Sequence, residues 1–341
     1  MTNPHFPARS GLVETYRAPG WLPGGNAQTI FPYFINLNPE IGYRRERWEM
    51  DDGDFVDIDW LDGAPDKPLV ILLHGLEGSS QSHYALSLMR FLQKLQWRGA
   101  VVHFRGCSGT PNRLPRAYHA GDSAEIDRML RHVVQQNHLQ QRKTACYVVG
   151  VSLGGNALLK WLGEQGTQAA GLVAGVVAVS VPLDLAAAGG VLDSGFNRVY
   201  TRHFLTTLKR KALGKNRQFP GLLNARAVAA CSSLYEFDNL VTAPLHGFRD
   251  TNDYWHQSSS KPWLRSVQVP TLLINARNDP FLPESVLPKK SEVSAFVSLE
   301  YPQQGGHVGF MQGAFPGKLD WLPQRIVGFF TLSCASGVVP E

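Results

Sequence analysis

Ser152 lies in Gly150-Val151-Ser152-Leu153-Gly154, between an apolar run, Ala145 to Val149, and a helix-patterned stretch, Asn156 to Glu164. Strand, tight turn edged by glycine, then helix is the context that a nucleophile elbow requires. Such a turn lifts one side chain above the end of a strand and holds it in a strained backbone conformation. Gly150 and Gly154 carry no side chains, so helix and strand can close on one another around the turn. The helix that follows aims its first amides at the place where an oxyanion would form. This arrangement needs a parallel sheet beneath it, and the rest of the chain supplies the pattern of one.

Leu69 to Leu73 is a continuous apolar run, as expected of a strand covered on both faces. It ends in His74-Gly75-Leu76-Glu77-Gly78, and a helical segment, Tyr84 to Leu95, follows. Next come a strand, Ala100 to Phe104, and a helix that Asp122 caps and that runs to about His132. Beyond the elbow lie a strand from Leu172 to Val181, a strand from Thr271 to Ala276, a short strand from Val297 to Tyr301 and a helix from Trp321 to Phe330. Ahead of them, Arg44 to Met50 and Phe55 to Leu61 read as a hairpin turned at Asp51-Asp52-Gly53. Val56, Ile58 and Trp60 alternate with acidic residues there, which predicts one buried face.

Alternation of strand and helix lapses between residues 183 and 262. Phe196, Val199, Tyr200, Phe204, Leu208 and Ala212 recur there at helical spacing, with Arg198, Arg202, Lys209 and Arg210 on the other side. The expected organisation is an irregular N-terminal arm over 1–42, a doubly wound α/β core over 43–182 and 263–335, and a helical lid over 183–262. The helix is expected to lay its apolar face over the pocket. The alternative is that this face, flanked by Lys209 to Lys211, meets an anionic membrane surface.

Composition narrows the classes of function. The chain has 341 residues, 43% of them hydrophobic and 18% charged, which suits a globular protein with a sizeable core. Its net charge of +5 is dispersed except at Lys209-Arg210-Lys211, followed by Lys215 and Arg217, so no nucleic-acid footprint is expected. Cys107, Cys146, Cys231 and Cys334 form no C-x-x-C pair, which argues against a disulfide framework or zinc site and for a reducing, cytoplasmic setting. Met1 to Gly20 holds no apolar core of a secretory leader. Gly171 to Leu192 is long and apolar, but Pro182, Asp184 and Gly189-Gly190 break it, so a buried strand running into a loop is expected rather than a membrane span. No H-E-x-x-H or P-loop lysine is present, and neither metal nor cofactor is expected.

A serine hydroxyl needs an adjacent base, and an imidazole needs a carboxylate to fix its tautomer. Asp279, in Asn278-Asp279-Pro280, and His307, in Gly305-Gly306-His307-Val308-Gly309, both follow strands and come after Ser152 in the order Ser, Asp, His. Both fall at the carboxyl edge of the sheet, where open α/β sheets place ligands. Glycines around His307 give it a loop free to point inward. Asp184 is the rival acid, since it too follows a strand; Asp279 is preferred for its tighter turn and its strand's nearness to the histidine. The backbone amides of Leu153 and Leu76 are the expected oxyanion donors, and His74 reads as scaffold. Arg105 and Arg113 have two readings, contact with a charged substrate or loop-anchoring ion pairs, and the second is expected.

With these placed, the chain resembles the α/β-hydrolase superfamily, and within it the bacterial YheT-type esterase branch and its eukaryotic relatives. The matching phrases are Pro23-Gly24-Gly25-Asn26-Ala27-Gln28-Thr29, His74 to Ser79, Phe104 to Gly109, Asn112-Arg113, Tyr118-His119, Gly150 to Asn156, Phe248-Arg249-Asp250, Asn278 to Phe281 and Gly306 to Phe310. The resemblance implies a charge-relay triad of Ser152, Asp279 and His307 and hydrolysis of carboxylic esters. Some eukaryotic relatives act on phospholipids or acylglycerols with medium-length acyl chains. The partner so implied is a small ester or lipid-like molecule, with no obligate protein partner. Two other readings stay open: an acyltransferase that passes the same acyl-serine to an alcohol or thiol, and a ligand-binding relative without activity.

Overall fold

Among the described residues, eight strands, most of them short apolar runs that end in polar loops, form one sheet. Its strands are β1 (Arg44–Glu49), β2 (Phe55–Leu61), β3 (Leu69–Leu73), β4 (Arg98–Val102), β5 (Cys146–Val151), β6 (Gly175–Val179), β7 (Thr271–Ile274) and β8 (Val297–Glu300). Their order across the sheet is β1-β2-β4-β3-β5-β6-β7-β8. The β1–β2 and β2–β4 pairs are antiparallel, and every other pair is parallel. The structure is a computed structural model that describes residues 15–35, 41–139 and 144–336, with side chains to Leu332. Most of the stretch expected to hold no secretory leader, and the side chain of Cys334, lie outside the described residues.

Alternate strand residues feed two cores. Leu69, Ile71 and Leu73 face a cluster with Ile126, Met129 and Leu130 of α3 (Ser123–Leu139) and Ala157, Leu158 and Trp161 of α4 (Leu153–Gln165). Val70 and Leu72 face the other side, against Leu88, Met89 and Leu92 of α2 (His83–Lys94) and Ile326, Val327 and Phe330 of α11 (Trp321–Ser336). Helices on both faces of a mostly parallel sheet make a doubly wound α/β fold. Each fully buried Leu or Ile contributes about 1.5–3 kcal/mol relative to exposure. Asp122 does cap α3, accepting from the Glu125 amide at 3.3 Å, but the helix continues to Leu139.

The hairpin departs from expectation. All of β2 is buried, including Asp57 and Asp59, because the sheet is covered on both sides there as well. The acids lie inside because each has partners. Arg47 reaches Asp57 at 2.8 Å and Arg45 reaches Asp59 at 2.7 Å, while His103 Nε2 and Ser80 Oγ meet Asp59 at 2.9 and 2.6 Å. Alternation of acidic and apolar residues marked paired charges here, and not a solvated face.

Between β6 and β7 the chain forms α5 (Leu185–Leu192), α6 (Arg198–Gln218), α7 (Ala225–Ala230), α8 (Leu234–Phe237), a π-helical turn over Asp238–Thr242, α9 (Ala243–His246) and α10 (Thr251–Ser258). These helices bury their own small core, including Leu192, Leu205, Val228 and Phe237, which also takes in Phe281 and Leu282 beyond β7. The apolar stretch weighed as a membrane span is β6 and α5, and among the described residues no helix is long and apolar enough to cross a membrane.

The arm over 1–42 is not irregular throughout. Residues Gly24–Ile30 form α1 and continue as a 3-10 turn over Phe31–Phe34. No amphipathic pattern announces this helix. It is held by hydrogen bonds to loops 250 to 278 residues away.

Candidate active site

Ser152 follows β5 directly, with φ 52° and ψ −120°, a conformation that strains any residue with a Cβ. The turn fits only because the chain comes very close at Gly154, where a Cβ would fall 2.4 Å from His74 O and 2.6 Å from Leu73 O. Gly75 lies on the other side, and a Cβ there would sit 3.1 Å from the Ser152 Cβ. The serine is thereby wedged between α4 and the loop after β3.

The structure brings Ser152, His307 and Asp279 together in one chain of contacts. His307 Nε2 is 3.0 Å from Ser152 Oγ, and His307 Nδ1 is 2.9 Å from Asp279 Oδ2. The Asp279 side chain is fully buried, and its Oδ1 accepts from the Phe281 amide at 2.8 Å. Phe281 also stacks on the imidazole, with centroids 4.1 Å apart. Asp184 is not part of this chain: its carboxylate caps α5 by accepting from the Ala187 amide at 3.0 Å.

The loop that carries His307 is clamped, where its glycines had suggested freedom. Thr29 Oγ1 accepts from the His307 amide at 2.8 Å. Gln28 Oε1 accepts from the Gly305 amide and from Asn278 Nδ2, each at 2.9 Å, and Asn278 Oδ1 accepts from the Gly306 amide at 3.0 Å. One buried glutamine thus ties the histidine loop to the aspartate loop. Close approach makes this possible, since a Cβ on Gly25 would lie 1.9 Å from Asn278 O. Sequence reasoning missed Gln28 and Thr29 as positioning residues, although their phrase was among those that carried the resemblance. Gln28→Ala is expected to lower kcat by roughly 10–100-fold with little change in KM, the cost of misplacing a base by about an ångström. Steady-state kinetics on a nitrophenyl ester would check this split.

Leu76 and Leu153 line the same cavity as Ser152. Leu153 opens α4, and first-turn amides have no partner within their own helix. The amides on either side of Leu76 are engaged: Gly75 N–H donates to the Tyr84 hydroxyl at 3.0 Å and Glu77 N–H to the Tyr118 hydroxyl at 2.9 Å. Among the described residues, Leu76 N–H has no protein acceptor. Tyr84, which no motif pointed out, and Tyr118, whose phrase was among those that carried the resemblance, therefore hold the loop in place. His74 is scaffold, as expected. Its Nε2 accepts from the Phe104 amide at 3.1 Å, so Nδ1 bears the proton and donates to Gly75 O at 2.8 Å. Burial, with a smaller contribution from nearby His103, lowers its pKa to about 3 and keeps the ring neutral.

Two basic residues of the dense patch turn inward. Lys211 Nζ meets Glu77 Oε1 at 2.7 Å and Cys107 Sγ at 3.3 Å, and Lys215 donates to the Asn112 carbonyl. Lys211 therefore bridges α6 to the loop that carries Leu76. On α6 itself, Tyr200 and Ala212 are buried and Phe204 and Leu208 are half-buried, whereas Val199, and Phe196 just ahead of the helix, are exposed. Arg105 and Arg113 anchor loops, Arg105 to Asp52, Asp54 and Glu125 and Arg113 to Glu49.

A cavity of about 1210 Å³ opens over Ser152 and His307. Leu185, Leu192, Phe237, Val241 and Trp255 give it an apolar wall, and Leu153 packs into the adjoining cluster of Ala120, Ala243, Tyr254 and Trp255. Pockets for small molecules share this character, mostly apolar with a few convergent polar groups. Among the described residues, no cluster of three or more His, Cys, Asp or Glu side chains could hold a metal ion.

Sheet, strand order and a strained serine turn above β5 define a hydrolase-type α/β protein. The chain belongs to the alpha/beta hydrolase fold family, whose model matches residues 68–314. It is 39% identical over 309 residues to the Escherichia coli K12 protein named "Putative esterase YheT", covering 89% of each chain. It is 29% identical over 315 residues to human "Phospholipase ABHD3", covering 89% of this chain and 76% of the relative. Among solved structures it is similar to the Pyrococcus furiosus esterase Pf2001, with a TM-score of 0.55, 19% identity, and coverage of 86% of this chain and 91% of that one. That last likeness concerns the fold alone.

Proposed function

We propose that the protein is a serine hydrolase that cleaves carboxylic esters through an acyl-serine intermediate. The contact chain from Ser152 Oγ through His307 to the buried Asp279 carries this reading. With Nδ1–H donating to Asp279, His307 Nε2 is left as an acceptor facing the serine hydroxyl. It takes the serine proton as Oγ attacks the ester carbonyl, and the carboxylate steadies the imidazolium that forms. The Leu153 and Leu76 amides receive the developing oxyanion; loss of one such donor typically lowers turnover by roughly 10²–10³. His307 then gives the proton to the departing alkoxide. A water molecule enters, loses its proton to His307 and attacks the acyl-serine; the acid leaves as His307 returns that proton to Ser152 Oγ, which restores the hydroxyl.

The apolar lining of the cavity supports an acyl substrate, which this reading takes to be of short to medium chain length. The apolar wall formed by α5, the π-helical turn and α10 stands beside Leu153, where the acyl group of a serine-bound intermediate would lie. Helices α5 to α10 act as the lid in this reading, since they roof the serine and share a core with Phe281 next to His307. Esterase- and phospholipase-named relatives agree with an ester or lipid-derived substrate.

A fluorophosphonate probe is expected to label the wild-type chain on Ser152, and nitrophenyl esters from acetate to decanoate should be turned over with an optimum inside that series. An unlabelled, well-folded protein would instead assign the cavity to ligand binding without hydrolysis.

A further inference from the structure

Between Asp193 and Glu236 the chain has 42 residues without a single Asp or Glu and with eight Lys or Arg. The remaining 25 basic residues are outnumbered by the 28 acidic ones, so this one segment gives the whole protein its positive charge. Half of the segment is α6. Lys211 and Lys215 turn inward and Lys209 donates to Ala229 O at 2.9 Å, which leaves Arg198, Arg202, Arg210 and Arg217 on the exposed side. Among the described residues, none of these four arginines has an ion-pair partner.

Large apolar side chains are exposed at the same place. Tyr33, Phe34, Phe196 and Val199 are each more than half exposed. Tyr33, Phe34 and Val199 also line the cavity above Ser152, so they stand where it opens to solvent. Tyr33 lies beside α6, its ring centroid 6.4 Å from that of His203. Phe196 and Val199 are three residues apart, as are Val199 and Arg202, so aromatic, aliphatic and cationic groups are neighbours on one face. Cations interleaved with exposed aromatic and aliphatic side chains suit the boundary between anionic headgroups and acyl chains, where charge attracts and the apolar groups insert.

We propose that the outer face of α6 at its N-terminal end, together with the Phe31–Phe34 turn, docks on an anionic lipid surface and sets the cavity mouth against it. Charge complementarity selects an anionic surface, and the exposed aromatic groups select a bilayer over a soluble polyanion. This goes beyond ester hydrolysis and does not require it, so binding is measured with the Ser152→Ala chain, which leaves the lipid intact.

Co-sedimentation with phosphatidylcholine vesicles is compared with vesicles in which roughly a third of the lipid is phosphatidylglycerol, at low and high salt. Binding is expected only to the anionic vesicles, and it should fall steeply as salt screens the charges. The R198E/R202E double variant should bind at least about twenty-five-fold more weakly, from a loss of roughly fivefold for each cation. Phe196→Ser should weaken vesicle binding while leaving binding to a single-stranded oligonucleotide unchanged. With Ser152 present, both variants should hydrolyse a soluble nitrophenyl ester at the wild-type rate, which separates docking from catalysis. Equal binding to neutral vesicles, indifference to R198E/R202E, or an oligonucleotide that outcompetes the bilayer regardless of Phe196 would each overturn the proposal.

Discussion

Ser152→Ala is expected to lower kcat/KM for a nitrophenyl ester by roughly 10⁶-fold, the scale seen when a serine acting with its base is removed. Without Oγ no acyl intermediate forms, and His307 has nothing to deprotonate except water held at random. Stability should barely change. Alanine occupies the same φ of 52° as serine, so the strain of the turn is common to both chains. Ser152→Gly should be equally inactive yet more stable than the alanine variant by up to about 1 kcal/mol, because glycine relieves that strain. Hydrolysis and thermal unfolding measured on the same samples would separate chemistry from fold. Turnover retained in a purified alanine variant would remove Ser152 from the mechanism.

Arg105→Met should cost about 3–5 kcal/mol in urea unfolding at neutral pH, the penalty for leaving buried charges without a partner. The Arg105 side chain is wholly buried, and its guanidinium meets Glu125 at 2.6 Å, Asp52 at 2.8 Å and Asp54 at 2.9 Å. Burial by itself would raise Asp54. Hydrogen bonds from Asn112, from the Arg113 amide and from Arg105 outweigh it and hold the carboxyl below the usual carboxylate range. At Asp52 burial is likewise outweighed, there by Arg105 and the Asp54 amide. A carboxyl whose pKa is depressed on folding stabilises above its unfolded pKa and loses that contribution as pH falls through the folded value. Wild-type stability should therefore hold at neutral pH and decline once pH drops below the ordinary carboxylate range. The gap between wild type and Arg105→Met should narrow over the same interval, since protonated acids no longer need the cation. A gap that stays constant from neutral pH to pH 3 would show that Arg105 acts by packing alone.

Much of this protein is legible in its sequence. The strands from β3 onward, the serine turn, and the positions of Asp279 and His307 beyond β7 and β8 all follow from apolar runs and the loops that end them. The less legible parts share a cause. Asp57 and Asp59 alternate with apolar residues just as a solvated face would, and only the arrival of Arg45, Arg47, Ser80 and His103 from other segments makes them interior. Lys211 belongs to a run of three basic residues, and its inward turn depends on where Glu77 lies across the cavity. Asn156 ends a recognisable phrase, yet what it does is bind Ala120 O at 2.9 Å and Ser258 O at 2.7 Å, joining α4 to both flanking segments.

Sequence by itself determined the layered sheet, the kinked serine turn and the order of the three polar groups, because these depend on periodicity and on glycine within a few residues. Tertiary structure alone decided that Gln28 and Thr29 would clamp the histidine loop, that Tyr84 and Tyr118 would hold the loop of Leu76, and that α6 would turn two lysines inward and its arginines outward. Such contacts join residues tens to hundreds of positions apart. No local pattern encodes them, since a hydrogen bond across the fold exists only once the packed core has fixed the distance between its two ends.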